Sequence, residues 1–155
     1  MRAITPVLNI TRLHSAVGVV GALSRAFAIA RSYATVRNIY PDGSPRLLRD
    51  TPIHMSVLAE VATIYHALAH LTFGTVTLLG KSECGTADIE EEVRLRLLTP
   101  VVKAFVSDKG VSALEECMVS LGGQGYMEEN VIGRYANISV TFSTLLELRC
   151  PKTYP

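Results

Sequence analysis

The chain contains no tryptophan, only 6% of its residues are aromatic, and its basic and acidic side chains cancel to a formal net charge of +1. A nucleic-acid binder would carry a basic stripe or a strongly basic pI, so this balance disfavours that class. Cysteine is scarce too. Cys84, Cys117 and Cys150 are odd in number and form no Cys-x-x-Cys pair, which suggests neither a disulfide framework nor a zinc site and fits a reducing compartment. Long uncharged runs are also missing. The most apolar early stretch, Val17 to Ala30, is broken by Arg25 and falls short of the ~20 residues that span a bilayer. Arg2, Thr5 and Pro6 stand where a signal peptide would be continuously apolar. The expectation is an intracellular chain, cytoplasmic or in an organellar matrix, with no membrane span.

Hydrophobic residues, by contrast, reach 48% against 19% charged, and the mean hydropathy is +0.28. A chain of 155 residues is long enough for one core that buries about 70% of the surface its unfolded form exposes. The apolar surplus beyond that core calls for oligomer contacts or further domains, since monomers seldom leave large apolar patches bare.

Thr5-Pro6 is a helix-start signal, a hydroxyl cap followed by a residue with no amide to orphan. From Pro6 to about Asn38, Leu13, Ala16, Val20, Leu23, Phe27, Ala30 and Ala34 recur at three and four. Gly18 and Gly21 cost this helix about 1 kcal/mol each and suggest a close helix neighbour. Tyr40 to Pro45 concentrates turn formers and reads as a loop. Thr51-Pro52 opens a second helix, with Ile53, Val57, Val61, Ile64, Leu68 and Leu71 as its apolar stripe and Gly80 at its close near Leu79. Asp88 with Glu91 makes a capping box, and Glu90–Arg94 and Glu92–Arg96 are i,i+4 pairs on a short solvated helix. Thr99-Pro100 restarts or kinks it. Val101, Phe105, Val111, Leu114, Met118 and Leu121 then follow, with Gly110 interrupting and Gly122-Gly123 stopping the run. Beyond Arg134 the period changes to two, with Ile138, Val140 and Phe142 alternating with polar residues. The prediction is an all-α, up-and-down helical bundle over residues 1–134 with an irregular, divergent tail over 135–155. A fourth helix is lacking where the tail begins.

Few residues suggest chemistry directly. His66 and His70 lie one turn apart, but no third ligand accompanies them and no metal site is predicted. Gly122-Gly123-Gln124-Gly125 follows a helix, whereas a dinucleotide fingerprint follows a strand, so a helix terminus is the default reading. Arg12, Arg25, Arg31 and Arg37 would line a solvated face. The sequons at Asn9 and Asn137 have no secretory signal to give them meaning.

Several segments together resemble the C-terminal helical domain of the acyl-CoA dehydrogenase family, and its alkylation-response branch most of all. They are Asn9-Ile10-Thr11-Arg12, the run Tyr33 to Tyr40 with its Y-x-x-x-R spacing, Leu58-Ala59-Glu60, Leu97 to Lys103, and Leu121-Gly122-Gly123-Gln124-Gly125-Tyr126. The resemblance covers about Pro6 to Arg134. It implies a bundle beneath the FAD ring system that builds a homodimer or tetramer, with Arg37 on the cofactor diphosphate and Tyr40 lying along the cofactor. Gly122 and Gly123 would let backbone approach FAD, and Thr11 and Arg12 would lie near the acyl end of an acyl-CoA pocket. Departures accompany the matches: Gly43 is displaced from the family's glycine, Pro52 replaces a frequent glutamine, and the last helix with the base-bearing segment is absent after Arg134. Thr11 is not a carboxylate and Glu147 lies in the unmatched tail, so no catalytic base is assigned. The expected function is a C-terminal domain or fragment of an FAD-dependent acyl-CoA dehydrogenase-like oxidoreductase, inactive alone and binding FAD weakly or not at all. The alternative is a non-catalytic helical oligomerisation module.

Overall fold

The protein is described by a computed structural model that covers residues 5–127. The expected boundary at residue 134, the alternating tail and Glu147 lie outside the described residues. Three helices of 32 residues each dominate: α1 (Thr5–Val36), α2 (Pro52–Glu83) and α3 (Ile89–Ser120). Each is ~48 Å long at the α-helical rise. A two-residue antiparallel ladder, β1 (Asn38–Ile39) with β2 (Arg46–Leu47), and a 3-10 turn at Leu48–Asp50 join α1 to α2. A second 3-10 turn, Gly122–Tyr126, follows α3.

The contacts fix an up-down-up order. Lys81 near the end of α2 meets Glu91 at the start of α3 at 2.6 Å, and a Cβ at Gly110 would lie 3.8 Å from Leu68 Cδ1, so α2 and α3 run antiparallel. Gly110 also faces Val19, while Leu121 shares a groove with Tyr33 of α1, so α1 and α3 run in the same direction. The all-α bundle is therefore as the periodicity predicts.

Six of the seven stripe residues of α1 are buried and Phe27 is half-buried, because the 3.6-residue period winds them down one face. The α2 stripe is partly corrected. Val61 and Leu68 are buried but Ile53 is 80% exposed, and the core face continues instead through Leu58, Thr72 and Thr75. Thr75 is accommodated because its hydroxyl donates to the Leu71 carbonyl four residues back at 2.8 Å. Helix α2 also runs past Gly80 to Glu83, and Gly85, at φ +68°, makes the turn.

Helix α3 departs furthest. It begins at Ile89 and passes through Pro100 without a break, although proline has no N–H to donate to Arg96 O; next to it the buried Thr99 hydroxyl donates to Leu95 O at 2.7 Å. Its core row is Leu95, Thr99, Val102, Val106, Gly110, Ala113, Leu114 and Cys117. Val101 and Phe105, expected inside, are 58% and 47% exposed. The glycine expectation is corrected as well. Gly18 and Gly21 have open space where a side chain would start, whereas a Cβ on Gly110 would collide with Val19 Cγ1, so α1 and α3 approach closely at Gly110. The capping box holds, with Asp88 N–H donating to Glu91 Oε2 at 3.2 Å, and both i,i+4 pairs form. By length and apolar composition α1 and α2 could each cross a bilayer; here their apolar faces form one core with α3.

Candidate functional site

The C-terminal end of α1 is fixed by backbone rather than side chains. Arg37, the first residue past the helix, donates its N–H to Tyr33 O at 3.0 Å and accepts from Leu48 N–H at 2.8 Å. Its peptide is thus clamped between helix and hairpin, while its guanidinium is exposed and meets no carboxylate among the described residues. Tyr40 follows β1 and is 66% exposed at the head of the hairpin loop. A planar cation and an aromatic ring are therefore presented to solvent three residues apart.

The glycine turn lies at the same end. Leu121 N–H closes α3 on Met118 O at 3.3 Å, and Gly122 then takes φ +62°, a conformation costly to any residue with a Cβ. Gly122 and Gly123 are exposed with nothing within 4 Å of a built Cβ. Gly125 differs: it is buried, and a Cβ there would collide with the Met118 carbonyl, so the turn folds back on α3 only with glycine at this position. The resemblance gives a role to the first two glycines and none to Gly125, whose requirement comes from the fold-back and leaves no periodic signal.

Between the two segments runs a groove of about 510 Å³, walled by Arg25, Ile29, Tyr33 and Val36 of α1 and by Leu121 and Gln124 across from them. Arg37, Tyr40, Gly122 and Gly123 thus follow the ends of α1 and α3 at one end of the bundle; none of the four lines the groove, whose walls include their chain neighbours Val36, Leu121 and Gln124. Thr11 and Arg12 are not at this end. They lie near the start of α1, 26 and 25 residues before Arg37, ~38 Å away at the helical rise. Thr11 is exposed and its hydroxyl donates to Leu8 O at 3.1 Å, and Arg12 is half-buried. One protomer therefore cannot close both sets on one small group.

Other titratable candidates fall away from the groove. His66 and His70 are exposed on α2, and no group of three metal-ligating side chains is assembled among the described residues. Burial pushes the Cys117 thiol up to about 12, so this cysteine is an inert core residue. His54, whose Nε2 is buried without a partner, is held below its ordinary pKa by desolvation.

Residues 1–144 match the family model described as acyl-CoA dehydrogenase, C-terminal domain. The chain is 36% identical over 126 residues to acyl-CoA dehydrogenase family member 11 of Caenorhabditis elegans, covering 81% of this chain and 20% of that protein. It is 31% identical over 134 residues to the putative acyl-CoA dehydrogenase AidB of Escherichia coli K12, covering 86% of this chain and 23% of the relative. The fold superposes on the crystal structure of C. elegans ACDH-11 in complex with C11-CoA with a TM-score of 0.77 and 29% identity, over 93% of this chain and 26% of that one. The chain spans about a fifth of the length of the curated relatives it matches.

Proposed function

The chain belongs to the acyl-CoA dehydrogenase family, of which it presents the C-terminal helical domain, and from that premise we propose that it forms one wall of a flavin site in a larger acyl-CoA dehydrogenase-like assembly and is not a complete catalyst. One observation carries this reading: Arg37, Tyr40 and the open Gly122-Gly123 turn share one end of the bundle, next in the chain to Val36, Leu121 and Gln124, which wall one groove. The residues fit FAD on chemical grounds. A guanidinium offers a planar fork to diphosphate oxygens, and backbone without side chains lets a flat or phosphorylated group lie close. Bound FAD would supply the hydride acceptor for desaturation of an acyl-CoA thioester. This chain's own part is to hold the diphosphate through Arg37 and to offer Thr11 and Arg12, at the far end of α1, to an acyl-CoA.

The wall is incomplete by itself. One charge-assisted hydrogen bond is worth about 1.5 to 3 kcal/mol, which corresponds to roughly millimolar affinity or weaker. We further propose that the chain self-associates, which would let a second copy bring its opposite helix end to the same ligand. The experiment is a chimera in which residues 5–127 replace the matched segment of the C. elegans relative. It should purify yellow, and Arg37→Ala should weaken its FAD affinity at least tenfold. A chimera that retains flavin equally well with Arg37→Ala and with Gly123→Val would overturn the reading.

A purely structural role as an oligomerisation module is the second reading, and the exposed Val93, Leu97, Val101 and Phe105 on α3 favour it. The Arg37→Ala variant separates the two, because a module without cofactor contacts leaves the chimera's flavin affinity unmoved by it.

A further inference from the structure

The hairpin that joins α1 to α2 presents a second arginine beside Arg37. Its register sets Asn38 opposite Leu47 and Ile39 opposite Arg46, and the Arg37 carbonyl continues it by accepting from the Leu48 amide at 2.8 Å. In an antiparallel ladder, residues directly opposite share a face, and so do residues two apart on one strand. Arg37, Ile39, Arg46 and Leu48 are therefore the corners of one face, with the two arginines on a diagonal. Ile39 and Leu48 are half-buried and seat this face on the bundle, while Arg37 and Arg46 are exposed. Diagonal positions lie roughly 7 Å apart, so two long side chains can reach one group. We propose that Arg46 is a second arm for the diphosphate assigned to Arg37, each guanidinium taking one phosphate. The inference rests on the flavin-wall reading above and adds to it a residue and a preference for two linked phosphates over one.

Neither guanidinium is already engaged. Among the described residues neither meets a carboxylate: Asp50 pairs with Arg49 at 3.7 Å, and Asp42, in the loop between the strands, forms no ion pair. Two like charges on neighbouring positions of a ladder repel, and an anion between them turns that repulsion into attraction. The backbone beneath both is fixed. The Arg37 peptide donates to Tyr33 O and accepts from Leu48 N–H, and Arg46 is held by its pairing with Ile39 and follows Pro45, whose ring locks its own φ. Fixed anchors favour arginine, because its planar fork then takes two oxygens of one phosphate with little further loss of freedom. A single phosphate satisfies one fork. The second fork then gains only when a neighbouring phosphate is present, which is the chemistry of a diphosphate.

The test is nuclear magnetic resonance on the full, nitrogen-15-labelled chain at low salt, where exposed charges are least screened. Inorganic pyrophosphate and inorganic phosphate are titrated separately. Pyrophosphate should shift the hairpin amides and the Nε signals of Arg37 and Arg46, and should bind more tightly than phosphate. Arg46→Gln and Arg37→Gln should each weaken pyrophosphate at least threefold and shrink its advantage over phosphate, whereas Arg49→Gln, which removes an equal charge already paired with Asp50, should leave both within twofold. Unmoved α3 amides report that the bundle is kept. Should Arg46→Gln disturb the hairpin, Arg46→Lys retains the charge without the fork and should still weaken pyrophosphate, by a smaller factor. Weakening by Arg37→Gln with none by Arg46→Gln overturns the second arm and leaves the Arg37 reading standing. An effect of Arg49→Gln as large as that of Arg46→Gln overturns it as well, because attraction to diffuse positive charge is then sufficient. Hairpin signals unmoved by pyrophosphate overturn both the second arm and the Arg37 contact on which it rests.

Discussion

Replacing Gly110 with alanine tests the packing of the bundle at its tightest point. The new methyl would enter the space of Val19 Cγ1, which belongs to a side chain only 1% exposed, and would lie 3.8 Å from Leu68 Cδ1. Valine is short and stiff at χ1, so it cannot swing aside as a long side chain would. Overpacking of this size costs about 1 to 3 kcal/mol. Against it stands a helix-propensity gain of about 1 kcal/mol for glycine to alanine. The net expectation is a loss of up to about 2 kcal/mol. Gly18→Ala and Gly21→Ala, where nothing lies within 4 Å, are internal controls that should each gain about 0.5 to 1 kcal/mol. Urea denaturation followed at the helical circular dichroism band, at one fixed chain concentration, reads all three. Val19→Ala should be destabilising alone yet couple favourably with Gly110→Ala, since the added methyl fills part of the space vacated. Stabilisation by Gly110→Ala equal to that of the controls would refute the close approach of α1 and α3.

Gly122→Ala should cost about 1 to 2 kcal/mol through its positive φ alone, while Gly123→Ala at ordinary φ should be near neutral; equal effects in the same denaturation assay would count against the turn geometry. In a Cys150→Ser background, a thiol reagent at pH 8 should label the exposed Cys84 at once and Cys117 only at the rate of unfolding, because the Cys117 thiol stays protonated up to about 12. Glu91 is held below the ordinary carboxylate range by its hydrogen bond from Lys81 and then by the Asp88 amide, and Lys81 is raised by the same bond. The pair's contribution is therefore present above the unfolded carboxylate pKa and is lost as pH falls through the folded value of Glu91; on the alkaline side it is lost as pH rises through the raised value of Lys81. Glu91→Gln should flatten the acid limb of the stability–pH curve, and an unchanged limb would show the pair to be inert.

The legible part of the fold was what periodicity encodes. The α1 stripe, the Asp88 capping box and the Glu90–Arg94 and Glu92–Arg96 pairs are local patterns, and they formed where the spacing put them. The α2 face is only partly legible because Thr72 and Thr75 are polar by composition yet buried, Thr75 donating its hydroxyl to the Leu71 carbonyl one turn back. The α3 face is legible at Leu114 and Leu121, which are buried as expected, and not at Val101 and Phe105, because the inward row there passes through the polar Thr99 and Ser107 and through Gly110, which no apolar pattern marks. Likewise a glycine in sequence does not state which side of its helix it faces, so Gly18 and Gly21 were credited with an approach that belongs to Gly110. Of the candidate site, the motif residues Arg37, Tyr40, Gly122 and Gly123 were visible and fall at one end. That Thr11 and Arg12 belong to the opposite end follows from the unbroken length of α1.

The central claim, that this chain offers a flavin wall without the means to catalyse, is tested most directly by an anaerobic mixture of the pure full chain, FAD and acyl-CoA substrates of several chain lengths, watched at the flavin absorbance. A missing general base alone slows such chemistry by about 10² to 10⁴-fold, and without a site that binds FAD tightly no hydride acceptor is held against the substrate. The account predicts an unchanged flavin spectrum over hours. Bleaching that depends on the chain and disappears in Glu147→Gln would contradict it, because the base would then reside in the tail.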